Sequence, residues 1–147
     1  MIIDDEIGIK DMLIPLHIIL QCGGEFSGKT RLQKLVFLSQ ESSNKKFNFD
    51  FKPAPFGPLS YKLNHAIERM KRIGLLKEKI EQTQSGNTVI CYSITEDGKE
   101  IVNLGLNKLL APEIVNATTT TVTRYGNMSY VDLLNYVHTE YPEYLSE

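Results

Sequence analysis

GGEFSGKT, residues 23–30, fits the phosphate-binding pattern Gly-x-x-x-x-Gly-Lys-Ser/Thr at every specified position, through Gly23, Gly28, Lys29 and Thr30. Two kinds of fold can present this string. In one, a buried strand runs into a loop that wraps the phosphates of a nucleotide. In the other, the glycines end one helix and lead up to the next. The first needs a parallel sheet of buried apolar strands joined by helices, plus an apolar run ending in a magnesium-binding Asp. The chain supplies neither: the nearest run of that kind, FNFDF at 47–51, alternates in polarity and is followed by Pro53 and Pro55. The reading adopted is the helix junction, with no catalytic residue and no cofactor.

The flanking segments fit that reading. IGIKDMLIPLHIILQC (7–22) is apolar nearly all round between Met12 and Leu20, which predicts a buried helix. Gly23-Gly24 suit the left-handed turn beyond its C-terminus. A second helix is expected over about 30–41, with Thr30 and Gln33 forming a capping box and Leu32, Leu35 and Val36 as its core stripe.

FNFDF places Phe47, Phe49 and Phe51 at period two, predicting a short strand. Pro58 can open a third helix. Over 58–73, Leu59, Leu63, Ala66, Ile67, Met70 and Ile73 share one face, and Gly74 ends the run. KEKIEQTQ, the turn Ser85-Gly86-Asn87 and TVICYSIT read as a β-hairpin. Thr95 caps an expected helix over 96–110, with Ile101, Val102, Leu104 and Leu109 inward. Further helices are expected at 113–126 and, capped by Ser129, over YVDLLNYVHTE. Three helices followed by a hairpin is the winged helix-turn-helix order, the third helix being the usual reader of the DNA major groove. The expected fold is thus mainly α with a small β-hairpin (α+β). It forms a single domain over 1–147, with a core over about 7–110 and a C-terminal helical extension over about 112–145.

Three elements, GKTRLQKLVFLSQ (28–40), FKPAPFGPLSYKL (51–63) and LLNYVHTEYPEY (133–144), occur in an order and spacing that resembles the YwgA-like proteins and the related SocA-like, or Panacea, antitoxin-domain proteins. The resemblance spans about residues 28–145. It implies a winged-helix-like helical fold and service as a regulator, or as an antitoxin that neutralises a partner by direct contact. It brings no catalytic residues with it.

Composition bounds the function classes. The 147 residues are 41% hydrophobic and 23% charged, values of a globular domain. No apolar run approaches the ~18 residues of a membrane span, and the acidic start MIIDDE is unlike a basic secretory leader, so a cytoplasmic protein is expected. Cys22 and Cys91 are far apart with no CxxC spacing. His17, His65 and His138 have no partners at metal-ligand spacing, so no metal site is expected and His17 reads as a core residue.

The net charge of −2 conceals a segregation. Residues 28–79 hold twelve Lys/Arg against four acids, a net of +8 between acidic flanks. That pattern suggests a surface facing a polyanion; the alternative is that these bases pair with acids across the fold. The DNA-contact candidates are Lys29, Arg31 and Lys34 on the second helix, and Ser60, Tyr61, Lys62, Asn64, His65, Arg69, Lys71 and Arg72 on the third. Gln84 and Asn87 join them at the hairpin tip. Asn, Arg and His can bond base edges, and Lys and Arg can bond phosphates. Glu68, mid-face, opposes phosphate. Tyr125, Tyr130, Tyr136, Tyr141 and Tyr144 cluster near the C-terminus and suit a protein partner, a toxin or a second copy of the chain, or else packing onto their own domain. The leading expectation is a DNA-binding regulator of double-stranded DNA, and the alternative is a protein-interaction module that does not bind DNA.

Overall fold

The buried helix anticipated around MLIPLHIIL forms as α1, Ile9–Gln21, in which Met12 to Ile19 are all buried. Asp11 accepts from the Gly8 N–H at 3.0 Å and so closes its first turn. Its end is a Schellman turn: Gly23 N–H donates to Leu20 and Gly24 N–H to Ile19, both at 3.0 Å. The two glycines take φ of 99° and 88°, which only glycine adopts without strain. The structure, a computed structural model, describes residues 7–44, 47 and 49–146. Asp4, Asp5 and Glu6 of the acidic start, Lys45 and Lys46 of the basic segment, and Asn48 of FNFDF lie outside the described residues.

Next comes β1, Glu25–Ser27, and then α2, Lys29–Ser42. The cap of α2 is Gly28, and no side chain caps it, so the expected Thr30–Gln33 capping box is corrected. The physical reason is tertiary: the Gln33 amide is spent on Ser60, 27 residues away. The strand expected at 47–51 is corrected too. Phe47, Phe49 and Phe51 are all buried, as their alternation implied, but the described residues of the segment are in no ladder. Beyond it are isolated bridges, Lys52 with Leu59 and Ala54 with Leu145.

Helix α3, Tyr61–Arg72, begins three residues after Pro58 because Ser60, not the proline turn, supplies the cap, accepting from Leu63 N–H at 3.2 Å. Leu63, Ala66, Ile67 and Met70 form its buried face, whereas Ile73 is 51% exposed. A second Schellman turn at Gly74, in which Leu75 N–H donates to Met70 at 2.9 Å, returns the chain to the core. The hairpin follows as β2, Leu76–Gln82, and β3, Thr88–Ile94. The sheet is antiparallel in the order β1-β3-β2, with Phe26 opposite Tyr92 and Leu76 opposite Ile94.

Three helices complete the chain: α4, Glu96–Leu109, α5, Pro112–Tyr125, and α6, Tyr130–Glu140, before a 3-10 turn at Pro142–Tyr144. Thr95 and Ser129 cap α4 and α6 as their positions predict. Helix α1 packs against α3, α4 and α5, and α2 packs against α5 and α6. Phe37 of α2 meets Phe51, Tyr141 and Tyr144 edge-on, at centroid separations of 5.3, 5.0 and 4.7 Å. Edge-to-face pairs contribute about 0.5–1.5 kcal/mol each beyond burial. Leu104 and Leu109, expected inward, are instead 59% and 38% exposed. The architecture is mainly helical with a small three-stranded antiparallel sheet, and no described helix is long and apolar enough to cross a membrane.

Candidate nucleic-acid interface

Helix α3 turns Tyr61, His65, Glu68 and Arg72 along one stripe, at the i, i+4, i+7, i+11 spacing of a single helix face. Tyr61 is 58% exposed, and Glu68 and Arg72 are exposed. Asn64, His65 and Arg69 are half-buried beside the stripe. Two residues expected on this helix face inward. Ser60 is fully buried as the cap, and the Asn64 side-chain oxygen accepts from Gln33 at 2.9 Å. Burial takes Ser60 out of reach of a nucleic acid and leaves Asn64 partly committed.

The basic segment is less positive in space than in sequence. Lys62 reaches Asp11 of α1 at 3.6 Å. Lys71 sits between Glu68 and Glu78, at 3.0 and 2.9 Å. Burial alone would lower the Lys71 amine, but the bonds to Glu78 and Glu68 outweigh it and hold the amine above its ordinary value. Lys79 pairs with Glu81 at 2.7 Å. Arg31 donates to the Ser27 carbonyl and to the Gly126 carbonyl, each at 2.8 Å, and lies over the Phe26 ring at 4.5 Å. It therefore ties β1 to the end of α5. Lys34 is 1% exposed, so the phosphate contact expected of it does not fit its inward orientation. Lys29, Lys52 and Lys77 are exposed and have no ion-pair partner among the described residues. Of these, Lys52 and Lys77 were missing from the sequence-derived set; their signal was position, one flanking a proline loop and one starting a projecting strand.

The hairpin projects from the domain: every residue of β2 after Leu76 is exposed. Its tip is a closed turn in which Thr83 N–H donates to Asn87 at 2.8 Å, with Gly86 at φ 86°. Gln84 and Asn87 are exposed there, Asn87 holding the Ser85 hydroxyl at 3.3 Å.

The phosphate-loop string is now explained. Gly23 closes α1, Glu25–Ser27 are a strand, and only Gly28 separates that strand from α2. A single residue cannot wrap a triphosphate, and its N–H is already given to Ile90 at 2.8 Å. Beside this junction a cleft of about 520 Å³ opens between Lys29, Thr30, Thr88 and Tyr130.

The C-terminal tyrosines turn toward their own domain. Tyr125 and Tyr136 share a hydroxyl–hydroxyl bond of 2.9 Å, which with burial pushes Tyr136 up to about 12. Tyr141 and Tyr144 pack on Phe37, and Tyr130 lies beside Lys34. All five are half-buried. His17 is buried and bonds Thr118 at 2.9 Å. Because the Thr118 hydroxyl donates to Val115, it must accept from His17 Nδ1–H, which fixes the tautomer. No group of three His, Cys, Asp or Glu among the described residues could hold a metal. Scanned against protein-family models and curated protein sequences, the chain matches none.

Proposed function

We propose that the chain is a winged-helix DNA-binding protein acting as a regulator of transcription or as an antitoxin-type regulator. The observation that carries this is the connection of the sheet. A strand between the first two helices pairs with the far strand of a hairpin that follows the third helix, giving α1, β1, α2, α3, β2, β3 with the order β1-β3-β2. The hairpin is then the wing beside α3, the arrangement by which this class presents a helix to the major groove. In this reading Tyr61, His65 and Arg72 meet the groove, and Lys29, Lys52 and Lys77 meet phosphates. Glu68, restrained by Lys71, accepts from a cytosine amino group rather than opposing the backbone. An electrophoretic shift with genomic fragments that include the gene's own promoter tests it; absence of a shift at low salt defeats it.

A second reading, a module that binds a partner protein, is favoured by one observation. In the segment that looked polyanion-seeking, Lys62 pairs with Asp11, Lys71 with Glu68 and Glu78, and Lys79 with Glu81, while Phe56 and Ile80 stand 58% and 65% exposed on the proline loop and the wing. One stoichiometric protein partner on co-purification, with no DNA shift, would replace the first reading by this one.

A further inference from the structure

Lys34 lies inside the domain, 1% exposed, one turn after Thr30 on α2. Among the described residues its ammonium has no hydrogen-bond or ion-pair partner. Its charge contact is with the ring of Tyr130, 5.7 Å from the centroid. A buried ammonium without an anion is costly, and side chains in that state either lose the proton or await a counter-ion. Here burial brings the amine down to about 8, so at neutral pH most of it remains charged and uncompensated.

The space beside it is built. A pocket of about 140 Å³ lies between Thr30, Gln33 and Lys34 of α2 and the loop Ala54–Leu59. The loop is a fixed structure: Gly57 N–H donates to Ala54 at 3.0 Å across Pro55 and Phe56, and Lys52 and Leu59 exchange two bonds of 2.9 Å at its base. Gly57 stands at φ 99°, and a Cβ there would sit 3.5 Å from Lys34 Cε and 3.8 Å from Nζ. The missing side chain is what leaves the amine an open neighbour. Pro55, Pro58 and Leu59 make the walls apolar, and Thr30, which also lines the pocket, is on the same face of α2 as Lys34. The nearby N-terminal end of α2 adds to the preference for negative charge.

We propose that this pocket is a binding site for a small carboxylate with an apolar body, its carboxylate paired with the Lys34 ammonium and bonded by Thr30, its body against the proline loop. A cavity of this size takes a short-chain or aromatic monocarboxylate. A fully polar anion such as phosphate gains the ion pair but leaves its remaining oxygens against apolar walls, which disfavours it. The site is independent of the DNA reading: it uses no exposed residue of α3 or of the wing.

The test is a titration of the intact protein, with carbon-13 at the lysine Cε positions, by benzoate, acetate and inorganic phosphate in parallel. The proposal expects benzoate to move the Lys34 resonance saturably at millimolar concentration and to raise its apparent pKa. Acetate should bind more weakly and phosphate should not saturate. Lys34→Met, which removes the charge and keeps the bulk, should cost about tenfold or more in benzoate affinity, measured by calorimetry on a folded variant. An unmoved Lys34 resonance in the intact protein overturns the proposal, as does undiminished benzoate binding by Lys34→Met. Phosphate binding as tightly as benzoate also overturns it.

Discussion

Gln33 and Ser60 are joined by two hydrogen bonds running in opposite directions: the Gln33 amide donates to the Ser60 carbonyl at 3.0 Å and accepts from the Ser60 N–H at 2.9 Å. Both residues are buried, and Ser60 also caps α3. One side chain of α2 thereby sets where α3 begins. Gln33→Leu leaves the buried Ser60 N–H unsatisfied, at about 1–3 kcal/mol, while the Ser60 carbonyl keeps the Asn64 N–H at 3.3 Å. Denaturant unfolding should show a loss of about 1–3 kcal/mol; a loss well below about 1 kcal/mol would mean that the α2–α3 register is held by packing alone.

Lys34 has a pH signature. Its amine falls from 10.5 in the unfolded chain to about 8 in the fold, so the native state binds fewer protons between those values and stability rises with pH across that window. Below pH 8 the burden is constant, about 3 kcal/mol. Lys34→Met should therefore be more stable than the parent at pH 7, by up to that amount, and the difference should shrink as pH rises past 8 toward 10.5. Paired unfolding curves at pH 7 and 10 check this.

Gly98 faces the chain where the hairpin rejoins the core. A Cβ there would run into the Leu75 backbone carbonyl and crowd Ile94 Cγ1, neither of which is the free end of a long side chain. Gly98→Ala should destabilise by about 1–3 kcal/mol despite the better helix propensity of alanine, as overpacking does. Thermal unfolding of the variant measures it.

His17 is held neutral, burial lowering it from its ordinary value. A base depressed in the fold gives stability that is full above the unfolded value of 6.5 and is lost as pH falls below it. The slope of stability against pH just below 6.5 should flatten in His17→Leu. Thr118 tolerates the change because its hydroxyl keeps the Val115 carbonyl.

The elements that sequence made legible were those with a local cause. The burial of α1 follows from its being apolar nearly all round, the buried face of α3 from periodicity, their ends from Gly23, Gly24 and Gly74, and the caps of α4 and α6 from Thr95 and Ser129. What stayed hidden depends on partners distant in the chain. Glu25–Ser27 is three residues long and becomes a strand only because β3 lies alongside. FNFDF alternates like a strand but its described residues are in no ladder, and Gln33 matches a capping pattern while serving Ser60. Among the site residues, the exposed places of Tyr61 and Arg72 follow from the helix period. The inward turn of Arg31 and Lys34 does not, nor does the Lys62–Asp11 pair, because side chains of one segment are claimed by another.

The central claim is that α3 and its flanking cations contact double-stranded DNA. It is tested most directly by the salt dependence of duplex affinity, read by fluorescence anisotropy. With Lys29, Lys52, Arg72 and Lys77 as the exposed cations, log K should fall against log salt with a slope of about −3 to −4, a loss of about 100-fold between about 50 and 200 mM. Arg69→Glu and Arg72→Glu should weaken binding, whereas Lys108→Glu on α4 should leave it unchanged. No binding at low salt, or an equal loss from Lys108→Glu, would contradict the account.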